Sequence, residues 1–103
     1  MQMEREAMSN NHKVVHDKDK QTYFVDLIDG YQANVSYQIS GNVLTLDHSS
    51  VPSELRGQGY AGIMMEAVLG KIEQEGFKVI PQCSYVVHYM GKHDKWNHLL
   101  ASQ

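Results

Sequence analysis

A change of hydrophobic period does most to restrict how this chain can fold. From 31 to 39, Tyr31, Ala33, Val35, Tyr37 and Ile39 alternate strictly with Gln32, Asn34, Ser36 and Gln38. Successive side chains of an extended backbone point to opposite faces, so this run is a half-buried antiparallel strand. After Pro52 the period lengthens. Placed about 100° apart, Ala61, Met64, Met65, Val68 and Ile72 fall in one stripe, with Glu66, Gly70 and Glu73 opposite. That pattern is an amphipathic helix, which Gly76 is placed to end. Ile63 falls among the polar positions and points to a contact made on that side.

The flanking segments extend the pattern. Lys13 to His16 reads as a short strand, followed by a charged turn from Asp17 to Lys20, and Thr22 to Ile28 is a second strand rich in aromatic and branched residues. Asp29-Gly30 then marks a hairpin, and Ser40-Gly41-Asn42 turns the chain into Val43–His48, where Leu44, Leu46 and His48 are expected to share a face. Phe77 to Gln82 reads as another strand and Ser84 to Lys92 as a short helix ahead of an irregular tail. Strand, helix, strand with a crossover of this length requires parallel pairing and a right-handed connection. The expected architecture is therefore α+β, a mixed and mostly antiparallel sheet with one parallel unit and a short C-terminal helix.

Composition narrows the function classes. A chain of 103 residues suits one domain, here expected over 12–103 behind a flexible tail at 1–11. Nine basic and twelve acidic residues give a net charge of −3, which argues against a nucleic-acid partner, whose phosphates call for a basic excess. The one cysteine, Cys83, excludes a disulfide framework and a cysteine-based zinc finger, and it suits a reducing compartment. No apolar run approaches the roughly 20 residues that span a bilayer. Met1 to Asn11 lacks the apolar core of a signal peptide, so a cytoplasmic location without membrane attachment is expected. His88, His93 and His98 recur at a spacing that does not stack ligands on one helical face, and His12 and His16 fall in strand-like sequence, so no metal is assigned.

The segment richest in chemistry is Val51-Pro52-Ser53-Glu54-Leu55-Arg56-Gly57-Gln58-Gly59-Tyr60-Ala61-Gly62, between a strand and the long helix. Glycines there let backbone approach a ligand closely, and the first helical turn presents unpaired N–H groups at the positive end of its dipole. Such a turn suits a phosphate or pyrophosphate, with Arg56 adding charge. A glycine-rich turn with no ligand is one alternative. A dinucleotide fold is another, since Gly57 to Gly62 matches GxGxxG, but Pro81-Gln82-Cys83 stands where the fingerprint needs an acid. A P-loop is excluded because no GK[ST] follows the glycines.

Arg56-Gly57-Gln58-Gly59-Tyr60-Ala61 also fits R-x-x-G-x-[GA], the motif with which the GNAT superfamily of acetyltransferases holds the pyrophosphate of coenzyme A. His48-Ser49-Ser50-Val51-Pro52, Pro81-Gln82-Cys83-Ser84-Tyr85 and His93-Asp94-Lys95-Trp96 follow in the same order, and the chain from about Tyr23 to Leu100 resembles the minimal branch of that superfamily, with its P-x-C-S-Y segment. It departs in having Ser49 where the family often has Thr, and His93-Asp94-Lys95 where His-Pro-Glu is more usual. The long N-terminal helices of larger members are missing.

The resemblance implies a compact GNAT-like fold that binds coenzyme A or acetyl-CoA as cosubstrate. It implies that Val51, Arg56, Gly57, Gln58, Gly59, Tyr60, Ala61, Gly62, Ser84 and Tyr85 hold the cofactor. The thiol end would lie where two parallel strands splay, near Val51 and Cys83. The expected function is acetyl transfer to an amine; a non-catalytic coenzyme A or acyl-CoA sensor is the alternative. Cys83 is then a catalytic nucleophile, a lining residue, or a thiol poised for a mixed disulfide with the cofactor. His48 is the candidate base, with a packed strand histidine as the alternative, and Tyr85 or Tyr89 the candidate proton donor to the leaving thiolate. A monomer or weak homodimer is expected, and the net negative charge mildly suits a cationic acceptor.

Overall fold

The computed structural model describes residues 12–101; the expected tail at 1–11 lies outside the described residues. Four strands come first, β1 (Val14–Asp17), β2 (Thr22–Asp26), β3 (Gln32–Ser40) and β4 (Val43–Ser50). Helix α1 (Tyr60–Glu75), strand β5 (Lys78–Pro81), helix α2 (Ser84–Lys92) and a 3-10 stretch, Asp94–Leu99, follow. The sheet keeps chain order from β1 to β5, antiparallel through β4 and parallel between β4 and β5. This is the mixed α+β architecture expected from the two hydrophobic periods.

Turn chemistry fixes the register of the meander. Asp29 and Gly30 both take positive φ, 57° and 80°, and the Tyr31 amide donates to the Ile28 carbonyl. Two consecutive left-handed residues make a type I′ turn, whose twist matches that of the flanking strands. Gly41, at φ 61°, opens the tight turn between β3 and β4.

The register places Tyr23 and Val25 of β2, Ala33, Val35 and Tyr37 of β3, Leu44 and Leu46 of β4 and Val79 of β5 in the core. Helix α1 covers them with Met64, Met65, Val68, Leu69 and Ile72, and α2 adds Val86, Tyr89 and Met90. Fully burying one such side chain contributes about 1.5–3 kcal/mol. Leu69 was not in the expected stripe. It sits on the flank of α1 that carries Glu66 and Glu73, whose carboxylates meet Tyr89, Lys95 and His98, so α2 and the tail widen the buried arc. Ile63 is half-buried and packs against this same core, so the contact it signalled lies within the chain. Both helices and the tail therefore cover one face of the sheet. On the other face, which no helix among the described residues covers, stand Thr22, Phe24, Asn34, Ser36, Gln38 and Thr45.

One irregularity redirects β4. Tyr37 pairs with Leu46 but Ser36 pairs with His48, which leaves Asp47 as an extra residue opposite β3. Such a bulge reverses the alternation of everything beyond it. His48 therefore does not share a face with Leu44 and Leu46 as expected. It pairs with Ser36 on the uncovered face and is exposed, while Ser49, opposite the buried Val35, turns toward the helices.

At the far end of the sheet a polar network ties β1 to the last turn of α1. The His16 side chain, 5% exposed, places Nδ1 3.1 Å from the Glu75 carboxylate and Nε2 on the Tyr37 hydroxyl, and its ring stacks on Tyr23 at 4.0 Å. Tyr23 completes the set by donating to Glu75 at 2.8 Å. A carboxylate only accepts, so His16 carries its proton on Nδ1. Hydrogen bonds to charged groups contribute about 1.5–3 kcal/mol each.

The tail read as irregular from the sequence is anchored as well. Trp96 and Leu99 are buried, Leu100 bridges in parallel to Val79, and the Ala101 amide donates to the Val79 carbonyl. Helix α1 ends on Gly76 at φ 83°, with its amide on Glu73 and the Phe77 amide on Ile72. That paired closure is a Schellman motif. No atom lies within 4 Å of where a Cβ on Gly76 would stand, so the cost of a side chain there is conformational alone. Gly76→Ala is expected to lower stability by about 1–2 kcal/mol, read as a fall in the urea midpoint at unchanged slope.

Candidate functional site

The loop from β4 into α1 hangs from a single anchor. Pro52 leads into a 3-10 turn, Ser53–Leu55, closed by the Leu55 amide on the Pro52 carbonyl, and Leu55 is buried against the core. Beyond it Arg56, Gly57, Gln58 and Gly59 are exposed. Gly57 and Gly59 stand at φ 79° and 86°, a region costly for any residue with a Cβ. Arg56 folds back so that Nε donates to the Val51 carbonyl at 3.3 Å, and Gln58 Nε2 donates to the Glu54 carbonyl at 3.1 Å. The two side chains brace the loop from its ends.

Gly59 is the residue before the first turn of α1. No side chain caps that turn and no acidic residue lies within it. The amides of Tyr60, Ala61 and Gly62 thus present donors at the positive end of a sixteen-residue helix. A Cβ at Gly62 would meet nothing within 4 Å, so the flank of the first turn is uncrowded there. Tyr60 is half-buried and packs its ring on the core. Paired phosphate oxygens fit this donor set.

A fork in the sheet adjoins the loop. The Leu46 carbonyl accepts from both the Gln82 amide, at 3.1 Å, and the Cys83 amide, at 2.9 Å. Parallel pairing stops there, with Leu46 opposite Pro81. Strand β4 runs on through Ser50, paired to β3 alone, while the other branch turns into α2. Between them opens a wedge, edged on one side by β4 backbone and Val51 and on the other by the first turn of α2.

Cys83 stands at the tip of that second branch, just before α2, and is half-buried. Its Sγ lies 3.3 Å from Ser49 Oγ across the wedge. Burial pushes the thiol up, but the Ser49 hydroxyl and the amides of Val86, Tyr85 and Ser49 act more strongly together, and the net shift is downward. These amides lie toward the sulfur without forming a full side-chain cap. A thiolate is the nucleophilic form, so Cys83 is the more reactive for it. A threonine at 49 would present the same hydroxyl, which makes Ser49 a conservative departure at this point.

The other expected residues divide. Ser84 is exposed and Tyr85 half-buried in the first turn of α2, and burial raises the Tyr85 hydroxyl. Tyr89 is committed elsewhere: its hydroxyl donates to Glu66 at 3.2 Å and its ring stacks on His93 at 4.1 Å. Burial and the Glu66 charge push it up to about 12. His48 stands exposed on the uncovered face of the sheet, opposite to Cys83. Of the other histidines, His12 meets the Asp26 carbonyl, His16 Glu75 and the Tyr37 hydroxyl, and His98 Glu73, while His88 is exposed. Sequence reading missed Ser49, because simple alternation from Leu44 turns it away from the helices. It also missed Leu55, a lone leucine in a polar loop.

Comparison with known proteins agrees with this geometry. The family model of the GCN5-related N-acetyl-transferases matches residues 22–99. In fold, the chain is similar to a GCN5-like candidate N-acetyltransferase from Staphylococcus aureus solved by NMR in solution. The two superpose with a TM-score of 0.64 at 22% identity, over 90% of this chain and 91% of that one. A family match spanning both the glycine loop and the forked strands settles the assignment: the chain belongs to the GCN5-related N-acetyltransferases, and its class of activity is acetyl transfer.

Proposed function

We propose that the protein binds acetyl-CoA along the glycine loop and the wedge and transfers its acetyl group to an amine. The observation that carries this reading is the continuity between the uncapped start of α1 and the fork at Leu46. One end offers amides for a diphosphate; the other opens backbone edge and a thiol where an acyl group would lie. Arg56, Gly57, Gln58, Gly59, Tyr60, Ala61 and Gly62 hold the pyrophosphate. Val51, Ser84 and Tyr85 border the arm that reaches the wedge.

Two chemical demands remain, an acceptor for the amine proton and a place for the acetyl group to react. His48, exposed on the uncovered face beside the fork, takes the proton from the attacking amine as its nitrogen bonds to the acyl carbon and the carbon–sulfur bond breaks. Tyr85 returns a proton to the departing thiolate. Cys83, with its depressed thiol, carries the acetyl group in passing. Its sulfur bonds to the acyl carbon as the cofactor thiolate leaves, and the amine then displaces the Cys83 thiolate. The competing reading, a sensor that binds coenzyme A without transfer, shares the loop and differs only in showing no turnover with amines.

Calorimetric titration with coenzyme A tests the loop. The protein is expected to bind, and Gly59→Ala, which forces a side chain into the left-handed region, is expected to weaken binding about tenfold, the equivalent of about 1.4 kcal/mol. No heat from the unaltered protein would overturn the assignment. The thiol is tested separately. Mixed with acetyl-CoA alone, the protein should gain one acetyl group on Cys83 by mass spectrometry, and Cys83→Ala should lose amine acetylation while still binding coenzyme A; full turnover in that variant removes Cys83 from the route. Ser49→Ala deletes a hydrogen bond to the thiolate and so raises the thiol, moving the pH midpoint of iodoacetamide alkylation upward. At pH 7 alkylation should slow by up to about tenfold, the effect of one pKa unit.

A further inference from the structure

The bulge in β4 has made a second feature besides the turn of Ser49 toward Cys83. Asp47 projects onto the helix-free face of the sheet, where Ser36 Oγ donates to its Oδ1 and Gln38 Nε2 to its Oδ2, both at 3.2 Å. The carboxylate is half-buried, and two neutral donors hold it in one orientation. Each oxygen keeps lone-pair capacity for another donor. The glutamates of α1 are used differently. Glu66 pairs with Lys95, Glu73 with His98, and Glu75 with His16 and Lys71. Among the described residues no cation pairs with Asp47.

Its place in the chain adds to this. Asp47 is the first residue of β4 past the fork, directly after Leu46, whose carbonyl closes the parallel pairing. His48 follows it on the same uncovered face. Ser49, two residues on and about 7 Å along the strand, reaches through to the Cys83 sulfur from the other face. The bulge therefore holds a carboxylate without a cationic partner on the side the helices leave open, leaning over β3 one strand from the fork.

We propose that Asp47 is the anchor for the acceptor, and that the acceptor is a small amine carrying a second, protonated nitrogen. This rests on the acetyl-transfer reading above. The ammonium donates to the Asp47 carboxylate, and the other nitrogen, unprotonated, extends past His48 into the wedge. A charge-assisted hydrogen bond at a held carboxylate favours such a diamine over a monoamine of equal length. Asp26 provides the contrast. It lies on the same face of the sheet and accepts from Gln32 Nε2 at 2.8 Å, but it sits on β2, two strands from the fork.

The test is a titration of 15N-labelled protein with 1,5-diaminopentane, in the free state and at saturating coenzyme A, alongside n-pentylamine. The diamine should shift the amides around 36, 38, 47 and 48 in both states. Asp47→Asn should weaken that binding about tenfold or more, and Asp26→Asn should leave it unchanged. The coenzyme A titration should be the same in all three proteins. Shifts located elsewhere, no binding, acetylation of n-pentylamine as fast as that of the diamine, or equal losses in the two variants overturn the anchor. If the diamine binds at Asp47 but is not acetylated from acetyl-CoA, the anchor stands and the transfer reading fails. If the diamine is acetylated equally well by Asp47→Asn, transfer stands and the anchor fails.

Discussion

Everything distinctive about this molecule follows from where two parallel strands are made to part. The Leu46 carbonyl takes the amides of both Gln82 and Cys83, and by using two donors at one acceptor it ends the ladder between β4 and β5. The sheet cannot close again, because Cys83 leads at once into α2 while β4 continues beside β3. Beyond Leu46 the outer edge of β4 pairs with no strand, and the Ser49 amide turns to the Cys83 sulfur instead. Buried backbone groups need partners, so on the function proposed above an extended, amide-bearing ligand would stand in for a strand there. The loop before α1 begins only a few residues further on, so the cleft and the helix start form one continuous track.

Much of this was legible from residue order alone. The alternation from Tyr31 to Ile39 located β3 to within a residue, Asp29-Gly30 produced the turn its chemistry requires, and Gly76 closed α1. Those signals are local: each depends on side-chain period or on a φ that few residues accept. The bulge carries no such mark. Leu44, Leu46 and His48 look like continuous alternation, and only the pairing with β3 shows that Asp47 is extra. The misplacement of His48 and the oversight of Ser49 are the same event seen on two faces, since a slip of one residue exchanges them. Leu69 escaped for a related reason. A helix flank is buried only if something packs on it, and α2 with its tail is a tertiary fact.

The electrostatics of the two tyrosines in α2 illustrate how position decides chemistry between similar residues. Tyr85 and Tyr89 lie one helical turn apart, with ring centres 6.2 Å from each other. Tyr89 donates its hydroxyl hydrogen bond to the carboxylate of Glu66, whose charge, with burial, makes ionisation of the phenol unfavourable. Tyr85 is raised by burial alone and keeps its hydroxyl uncommitted near the wedge. Cys83 sits two residues before Tyr85 and gains from the same helix start, where amides favour negative charge. Acid and nucleophile candidates are thus set apart by less than one turn of backbone.

The C-terminal segment has a protective role that its irregular appearance hides. By bridging Leu100 to Val79 and returning the Ala101 amide to the same residue, it lies along β5 as a further strand would. Unguarded sheet margins are templates for self-assembly into fibrils, and short chains with few layers have little else to shield them. Trimming or tethering that lifted these last residues would do more than fray an end. It would bare the outer margin of β5 and leave a strand free to pair with another copy.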